Sequence, residues 1–323
     1  MMERVVDPLV LQRRRETNVS FAIGFAIMVA LFVVLPFIAY PVFLMQALCF
    51  ALFACAFNLL IGYVGLVSFG HALYFGWASY LAAYAAKVWA LPPEGAILVG
   101  TATAAVLGII AGGVAIRRQG IYFAMITLAL AQMMYFFALR APFTGGEDGI
   151  QSVPRGRLFG YFDLSNEITM YVFVLVVVLG AFLLIYRIIN SPFGEVLKAI
   201  RENEQRAISL GYNTDRYKLI VFVLSATLAG LAGSLKALVF QLASLTDVHW
   251  TMSGDVLLMT LLGGLGTVFG PVVGAFAVIA MQNYLAPFGQ WVLVIEGVIF
   301  VVCVLVFRRG IIGELAAFLR VQL

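Results

Sequence analysis

Apolar runs of about twenty residues, one after another, limit what this chain can fold into more than any other feature of its sequence. A helix needs about 20 predominantly apolar residues to cross the hydrocarbon core of a bilayer. Such runs occupy 21–40, 42–61, 66–86, 96–116, 121–139, 168–186, 219–240 and 291–307, and a longer one, 254–286, is interrupted by glycines. Of the 323 residues, 63% are hydrophobic and 11% charged. A soluble domain is usually about half apolar and a quarter charged. The chain therefore reads as an all-α polytopic membrane protein. A water-soluble enzyme is excluded, and so is disorder, which needs few apolar residues and much charge. A net charge of +4 is too small to point to nucleic acid. Cys49, Cys55 and Cys303 lie scattered in apolar runs, which fits small apolar filler.

Orientation follows from Lys and Arg, which concentrate on the cytoplasmic side of membrane proteins. With a cytoplasmic N-terminus, the inner segments hold Arg4, Arg13, Arg14, Arg15, Arg117, Arg118, Arg187, Lys198, Arg201, Arg206, Arg216, Lys218, Arg308, Arg309 and Arg320, fifteen of the twenty basic residues. Lys87, Arg140, Arg155, Arg157 and Lys236 remain outside. The apolar run after residue 20 is longer than a signal-peptide core and lacks a small-x-small cleavage site, so 1–20 is expected as a charged cap on a retained helix. To keep Arg308 and Arg309 inside, 254–286 must form a hairpin broken at Gly263–Pro271, with a first arm short enough to be re-entrant. The expected architecture is about ten membrane segments with both termini cytoplasmic. Its parts are an N-terminal segment 1–20, a membrane domain 21–308, and a tail 309–323.

The hairpin break has an earlier echo. Gly62-Tyr-Val-Gly65-Leu-Val-Ser68-Phe-Gly70 matches Gly263-Gly264-Leu-Gly266-Thr267-Val-Phe-Gly270 in spacing and in position between arms. An internal duplication would leave this pattern, with both breaks lining a pathway at the repeat interface. Plain helix packing is the other reading, since Gly108/Gly112 and Gly266/Gly270/Gly274 have small-xxx-small spacing.

The longest inner polar segment is 190–218. Ser191-Pro192 fits a helix start, Leu197, Ile200, Ala207 and Ile208 a narrow apolar stripe, Glu202 and Arg206 an i,i+4 pair, and Gly211 a stop. Such a helix either lies along the membrane surface or fits a groove in a soluble partner. The outer loop 140–167 carries Thr144-Gly-Gly-Glu147-Asp148-Gly149, with Arg155 and Arg157 behind it, and reads as an exposed turn-rich loop or as the mouth of a pathway.

Enzymatic chemistry is thin. No phosphate-binding glycine loop and no metal-ligand motif occurs, and the histidines are His71 and His249 alone. Ser68 and His71, three residues apart, make a poor nucleophile–base pair, so His71 is expected as a packed or hydrogen-bonded residue at a helix start. Lys236 and Glu296 fall near outer helix ends and are expected to snorkel to the interface or to pair across a vestibule. Asn58 is expected to hydrogen-bond between helices.

Taken together, seven motifs resemble one family. They are Gly62 through His71, Gly120-Ile-Tyr-Phe-Ala-Met125, Thr144 through Gly149, Lys198-Ala-Ile-Arg-Glu-Asn-Glu204, Ala207 through Gly211, Ala229-Gly-Leu-Ala-Gly233 and Gly263 through Pro271. In this order they resemble the LivM-like membrane subunit of the branched-chain amino acid ABC importers. The resemblance implies a permease, not an enzyme. It would move branched-chain or related amino acids across the bacterial inner membrane by alternating access.

The implied partners are a second, related permease, two ABC ATPase subunits that use ATP and Mg, and a periplasmic amino-acid-binding protein. No cofactor is implied on this chain. The resemblance also implies that 190–218 couples to the ATPase through Lys198, Arg201, Glu202, Asn203, Glu204, Ala207 and Gly211. Gln205-Arg206-Ala207 departs from the E-A-A element of other importers. The expected pathway residues are Gly62, Gly65, Ser68, Gly70, Gly263, Gly264, Gly266, Thr267 and Gly270. The alternatives are a urea or short-amide permease of the same kind, a stand-alone carrier or channel, and a membrane enzyme using Ser68 or His71.

Overall fold

The structure, a computed structural model, describes residues 8–289, 291–306 and 310–319. Four of the basic residues used for orientation, Arg4, Arg308, Arg309 and Arg320, lie outside the described residues.

The helices are α1 (Pro8–Val34), α2 (Pro41–Val64), α3 (His71–Lys87), α4 (Pro93–Ala115), α5 (Ile121–Arg140), α6 (Glu167–Ile189), α7 (Pro192–Glu202), α8 (Glu204–Ser209), α9 (Thr214–Phe240), α10 (Trp250–Gly263), α11 (Gly270–Leu285), α12 (Trp291–Val306) and α13 (Gly310–Leu319). Prolines stand in the first turn of α2, α4, α7 and α11, where a missing N–H costs nothing. Six helices are long and apolar enough to cross a bilayer: α2, α4, α5, α6, α9, and α11 with the turn that follows it. That fits an all-α polytopic membrane protein but is fewer than the ten segments expected. The shortfall comes from length, because α3, α10 and α12 are shorter and the apolar stretch of α1 with the turn after it spans only Phe21–Phe37.

Helix α2 is the centre of the fold. It is buried along almost its whole length, against α9, α11 and α6. Helix α9 in turn packs on α3 and α4, and glycines set the spacing. A Cβ on Gly233 would overlap the Phe75 backbone, so α9 and α3 approach as closely as backbones can. The expected Gly108/Gly112 face does pack, Gly108 on Ala226 and Gly112 on Leu219 and Phe222. Close backbone approach over small residues is the main packing device available in lipid.

At one end of the bundle the loop 140–167 is tied down rather than loose. Strand β1 (Ile150–Gln151) pairs antiparallel with β4 (Leu242–Ala243), and β2 (Arg157–Leu158) with β3 (Phe162–Asp163). Arg155 Nη2 donates to Val239 O at 2.7 Å, closing the carbonyl end of α9. Thr144 is fully buried and donates to Ala138 O at 2.6 Å.

Two expectations about charge fail here. Lys236 does not snorkel and does not meet Glu296. It is buried in α9 and its Nζ donates to Asp247 Oδ2 at 2.6 Å, and Asp247 also accepts from Ser244 N at 3.3 Å. Asp247 sits in the turn between α9 and α10, where sequence alone gave no reason to seek a partner. Glu296 is likewise buried, beside Gln282.

Candidate functional site

The site begins with α7 and α8. Of the expected stripe, Leu197, Ile200 and Ala207 are buried but Ile208 is exposed, because the helix breaks before it, and α7 packs on α2, α6 and α9. Ser191 caps α7 by accepting from Gly194 N. The helix does not run through to Gly211. It stops at Asn203, whose extended backbone and side chain cap a second helix, with Oδ1 accepting from Arg206 N at 3.0 Å. Asparagine competes for backbone donors and so breaks helices while starting new ones.

The break removes the expected Glu202–Arg206 pair. Lys198 pairs with Glu195 at 3.0 Å, and Glu204 pairs with the buried Lys218 of α9. Glu202 is exposed, Ala207 is buried, and Gly211 ends α8 with φ +88°. Ile208, Leu210 and Tyr212 face outward, Leu210 at 68% exposure.

Arg201 leaves this loop and reaches inward. Its Nη1 donates to the carbonyl of Gly62, near the end of α2. At that point the two glycine breaks meet. Asn58, one turn before Gly62, donates from Nδ2 to Thr267 O at 2.9 Å and accepts on Oδ1 from Gly266 N at 3.0 Å. A Cβ on Gly62 would overlap Asn58 and stand 2.8 Å from Gly266 N. Thr267 Oγ1 donates to Gly264 O at 2.8 Å and accepts from Gly270 N at 3.2 Å, fixing the turn internally. Gly263 packs on the Gly270 backbone, and Gly65 turns beside the Arg201 stem. Helix α13 begins on the same spot, with Gly310 against Gly264, so this part of the expected tail 309–323 is helix packed on α10 and α11.

Seven of the nine expected pathway residues therefore gather around Asn58 and Arg201. Ser68 and Gly70 do not. Ser68 Oγ accepts from Gly70 N at 3.3 Å, and Gly70 packs against the Thr127 backbone of α5. Asn58 was expected only to bond between helices; a polar residue one turn before a glycine break was the available signal for its larger part.

Gly266 has φ +75°, and a Cβ there would stand 3.1 Å from Arg201 Nη1 and 3.2 Å from Gly62 O. Gly266→Val should destabilise the protein by about 1–3 kcal/mol through strain at this backbone conformation. Gly266→Asn should cost less, since Asn tolerates it better. Thermal denaturation in detergent ranks the variants, and equal stability of wild type and Gly266→Val would count against a fixed junction.

The Ser68–His71 alternative fails on geometry. His71, at the start of α3, is fully buried and its Nε2 lies 2.8 Å from Ser225 Oγ of α9. Ser225 spends its one proton on Ala56 O at 2.5 Å, so His71 must donate and its Nδ1 has no partner among the described residues. An imidazole donating to an oxygen cannot take that oxygen's proton, and among the described residues no acid bonds its Nδ1. This is an interhelical brace.

Comparison with known proteins now bears on the arrangement. The family described as "Branched-chain amino acid transport system / permease component" matches residues 39–307. The chain is 26% identical over 283 residues to the high-affinity branched-chain amino acid transport system permease protein LivM of Escherichia coli K12, covering 79% of this chain and 65% of that protein's length. It is 28% identical over 199 residues to the probable branched-chain amino acid transport permease protein LivM of Methanocaldococcus jannaschii, covering 58% of this chain and 56% of that one. A xylose transport system permease protein, XylH of Haemophilus influenzae, is 30% identical over 149 residues, covering 37% of this chain and 39% of that one. No solved structure matches.

Proposed function

Since this chain belongs to the permease-component family of branched-chain amino acid transport systems, we propose that it is the membrane subunit of an ATP-driven importer of branched-chain or related amino acids. The chain spans 65% of the length of the first curated relative, and the cargo is carried over from the names of such relatives. In this reading α1, α3, α10 and α12 join the six longer helices in the membrane domain 21–308. Loop 190–218 and both termini face the cytoplasm of a bacterial inner membrane, and loop 140–167 faces the periplasm.

The observation that carries the proposal is the bond from Arg201 to Gly62, which ties a surface helix pair to the meeting point of two membrane breaks. The outward Ile208, Leu210 and Tyr212, the large exposed apolar side chains described on this loop, give a soluble ATPase something apolar to grip. Movement of α7 pulls on Gly62 and, through Asn58, on the 263–270 turn. Mg and ATP act in the partner ATPase pair. A second permease completes the pathway, and a periplasmic binding protein delivers the cargo. A ligand shifts an alternating-access equilibrium only by its differential affinity, so the permease itself needs only weak binding.

Reconstitution in proteoliposomes tests this reading. Uptake of leucine, isoleucine or valine should require the ATPase, ATP and the binding protein together. Uptake by the chain alone would instead establish a secondary carrier or channel. The xylose permease similarity shows that the name of a relative does not fix cargo, so competition among leucine, urea and polar amino acids belongs in the same assay. Urea as the preferred competitor would move the cargo to short amides.

A further inference from the structure

The hairpin of β2 and β3 turns three aromatic rings outward. Phe159 is 68% exposed, Tyr161 88% and Phe162 61%. Among the described residues none of the three stacks on another ring or hydrogen-bonds through its side chain. Phe143 of the same loop differs, packing on Trp77 and Tyr84. Phe159 also stands at φ +49°, a left-handed conformation that glycine adopts at far less cost. Strain of this kind persists where the side chain has a use, and no ring contact inside the chain supplies one.

The base of the hairpin is held at the ends of two membrane helices. Gly156 lies against Pro93 in the first turn of α4, and the buried Leu164 donates from its backbone N to Gly156 O at 3.2 Å. Helix α6 then begins at Glu167. Both helices are long and apolar enough to span, and their outward sides carry exposed apolar residues, Leu98 and Val106 on α4, Ile168 and Val172 on α6. That is the surface a bilayer covers. Each arm of the hairpin is about three residues, so the tip lies within about 10 Å of these helix ends, comparable to the ~5–8 Å depth of a headgroup layer. Residues 158–162 carry no charge, and Arg157 and Asp163 stand opposite each other across the base.

We propose that the 157–163 hairpin is a membrane anchor, with Phe159, Tyr161 and Phe162 seated in the lipid interface around the starts of α4 and α6. Aromatic side chains favour that layer, where an apolar body meets wet headgroups. Helix α6 runs from this hairpin to α7, so the anchor fixes one end of the helix whose other end carries the coupling loop. The inference depends on α4 and α6 spanning the membrane and not on the cargo proposed above.

The test places a nitroxide at Tyr161→Cys in the whole transporter, held in nanodiscs of phosphatidylethanolamine and phosphatidylglycerol. Cys303→Ser removes the half-buried native thiol, and Cys49 and Cys55 are buried. Collisions with oxygen, which concentrates in lipid, are compared with collisions with a nickel chelate, which stays in water. Val176→Cys on the exposed side of α6 is the lipid reference, and Glu147→Cys in the exposed turn of loop 140–167 the water reference. The Tyr161→Cys label should give an oxygen-to-nickel ratio closer to the lipid reference. Phe159→Ser with Phe162→Ser should shift that ratio to the water reference and leave Val176→Cys unchanged. If the double change also alters Val176→Cys, each serine is introduced singly, and the same shift is expected in part. A water-like ratio with both phenylalanines present would overturn the proposal. So would a lipid-like ratio that survives their loss, because the label alone would then account for it. A label that is water-like in the transporter and shielded from nickel only once a periplasmic binding protein is added would also overturn it, and would assign the rings to that protein.

Discussion

Arg201→Ala should leave a complex that assembles and hydrolyses ATP but takes up its cargo about tenfold more slowly or worse, because one charge-assisted hydrogen bond of about 1.5–3 kcal/mol is lost. The guanidinium contributes nothing to the apolar seat of α7, which rests on Leu197 and Ile200. Its donor bond ends on Gly62 O, inside the junction held by Asn58, Gly266 and Thr267. Removing it cuts the connection between loop and membrane break while leaving both in place. Arg201→Lys, which keeps the charge on a less directional donor, should recover part of the rate. Uptake measured beside ATP turnover in the same vesicles gives the result: turnover retained with uptake lost. Parallel loss of both would mean that α7 serves only to hold the ATPase.

Lys236→Met should be among the most damaging single changes to stability. Asp247 would remain in the low-dielectric interior with no cation, and breaking a buried pair from one side costs about 3–5 kcal/mol. The Lys236 ammonium reaches Asp247 across the end of α9 and fixes the turn that leads into α10. Lys236→Met with Asp247→Asn removes the stranded charge and keeps an oxygen for Ser244 N, so the double variant should be more stable than the single one. Thermal denaturation in detergent of the two variants and the wild type gives the order. A Lys236→Met protein as stable as wild type would show that water reaches Asp247.

The sequence carried the apolar spans, the breaks at Gly62–Gly70 and Gly263–Gly270 and the packing of Gly108 and Gly112, because each of these is a local pattern of residue size and polarity. It did not carry the interruption at Asn203, where a side-chain cap outcompetes helix continuation. Nor did it carry the pairing of β1 with β4, two residues each, which depends on where α9 ends. Charge partners were the least legible. Lys236 with Asp247 and Glu204 with Lys218 are settled by how helices return on themselves, and spacing along the chain shows none of that. For the candidate site, pattern matching reached Arg201 and the glycines separately. Only Asn58, a single polar side chain in an apolar helix, hinted that they meet.

The central claim is that α7 moves the glycine junction through Arg201. Spin labels at Leu265→Cys, on the turn of the second break, and at Tyr161→Cys, on the exposed hairpin at the other end, report that movement by pulsed electron resonance. In the assembled transporter, trapping the ATPase with nucleotide should change the distance between the labels, and Arg201→Ala should abolish the change. A nucleotide-dependent change that persists in full without the arginine would contradict the account.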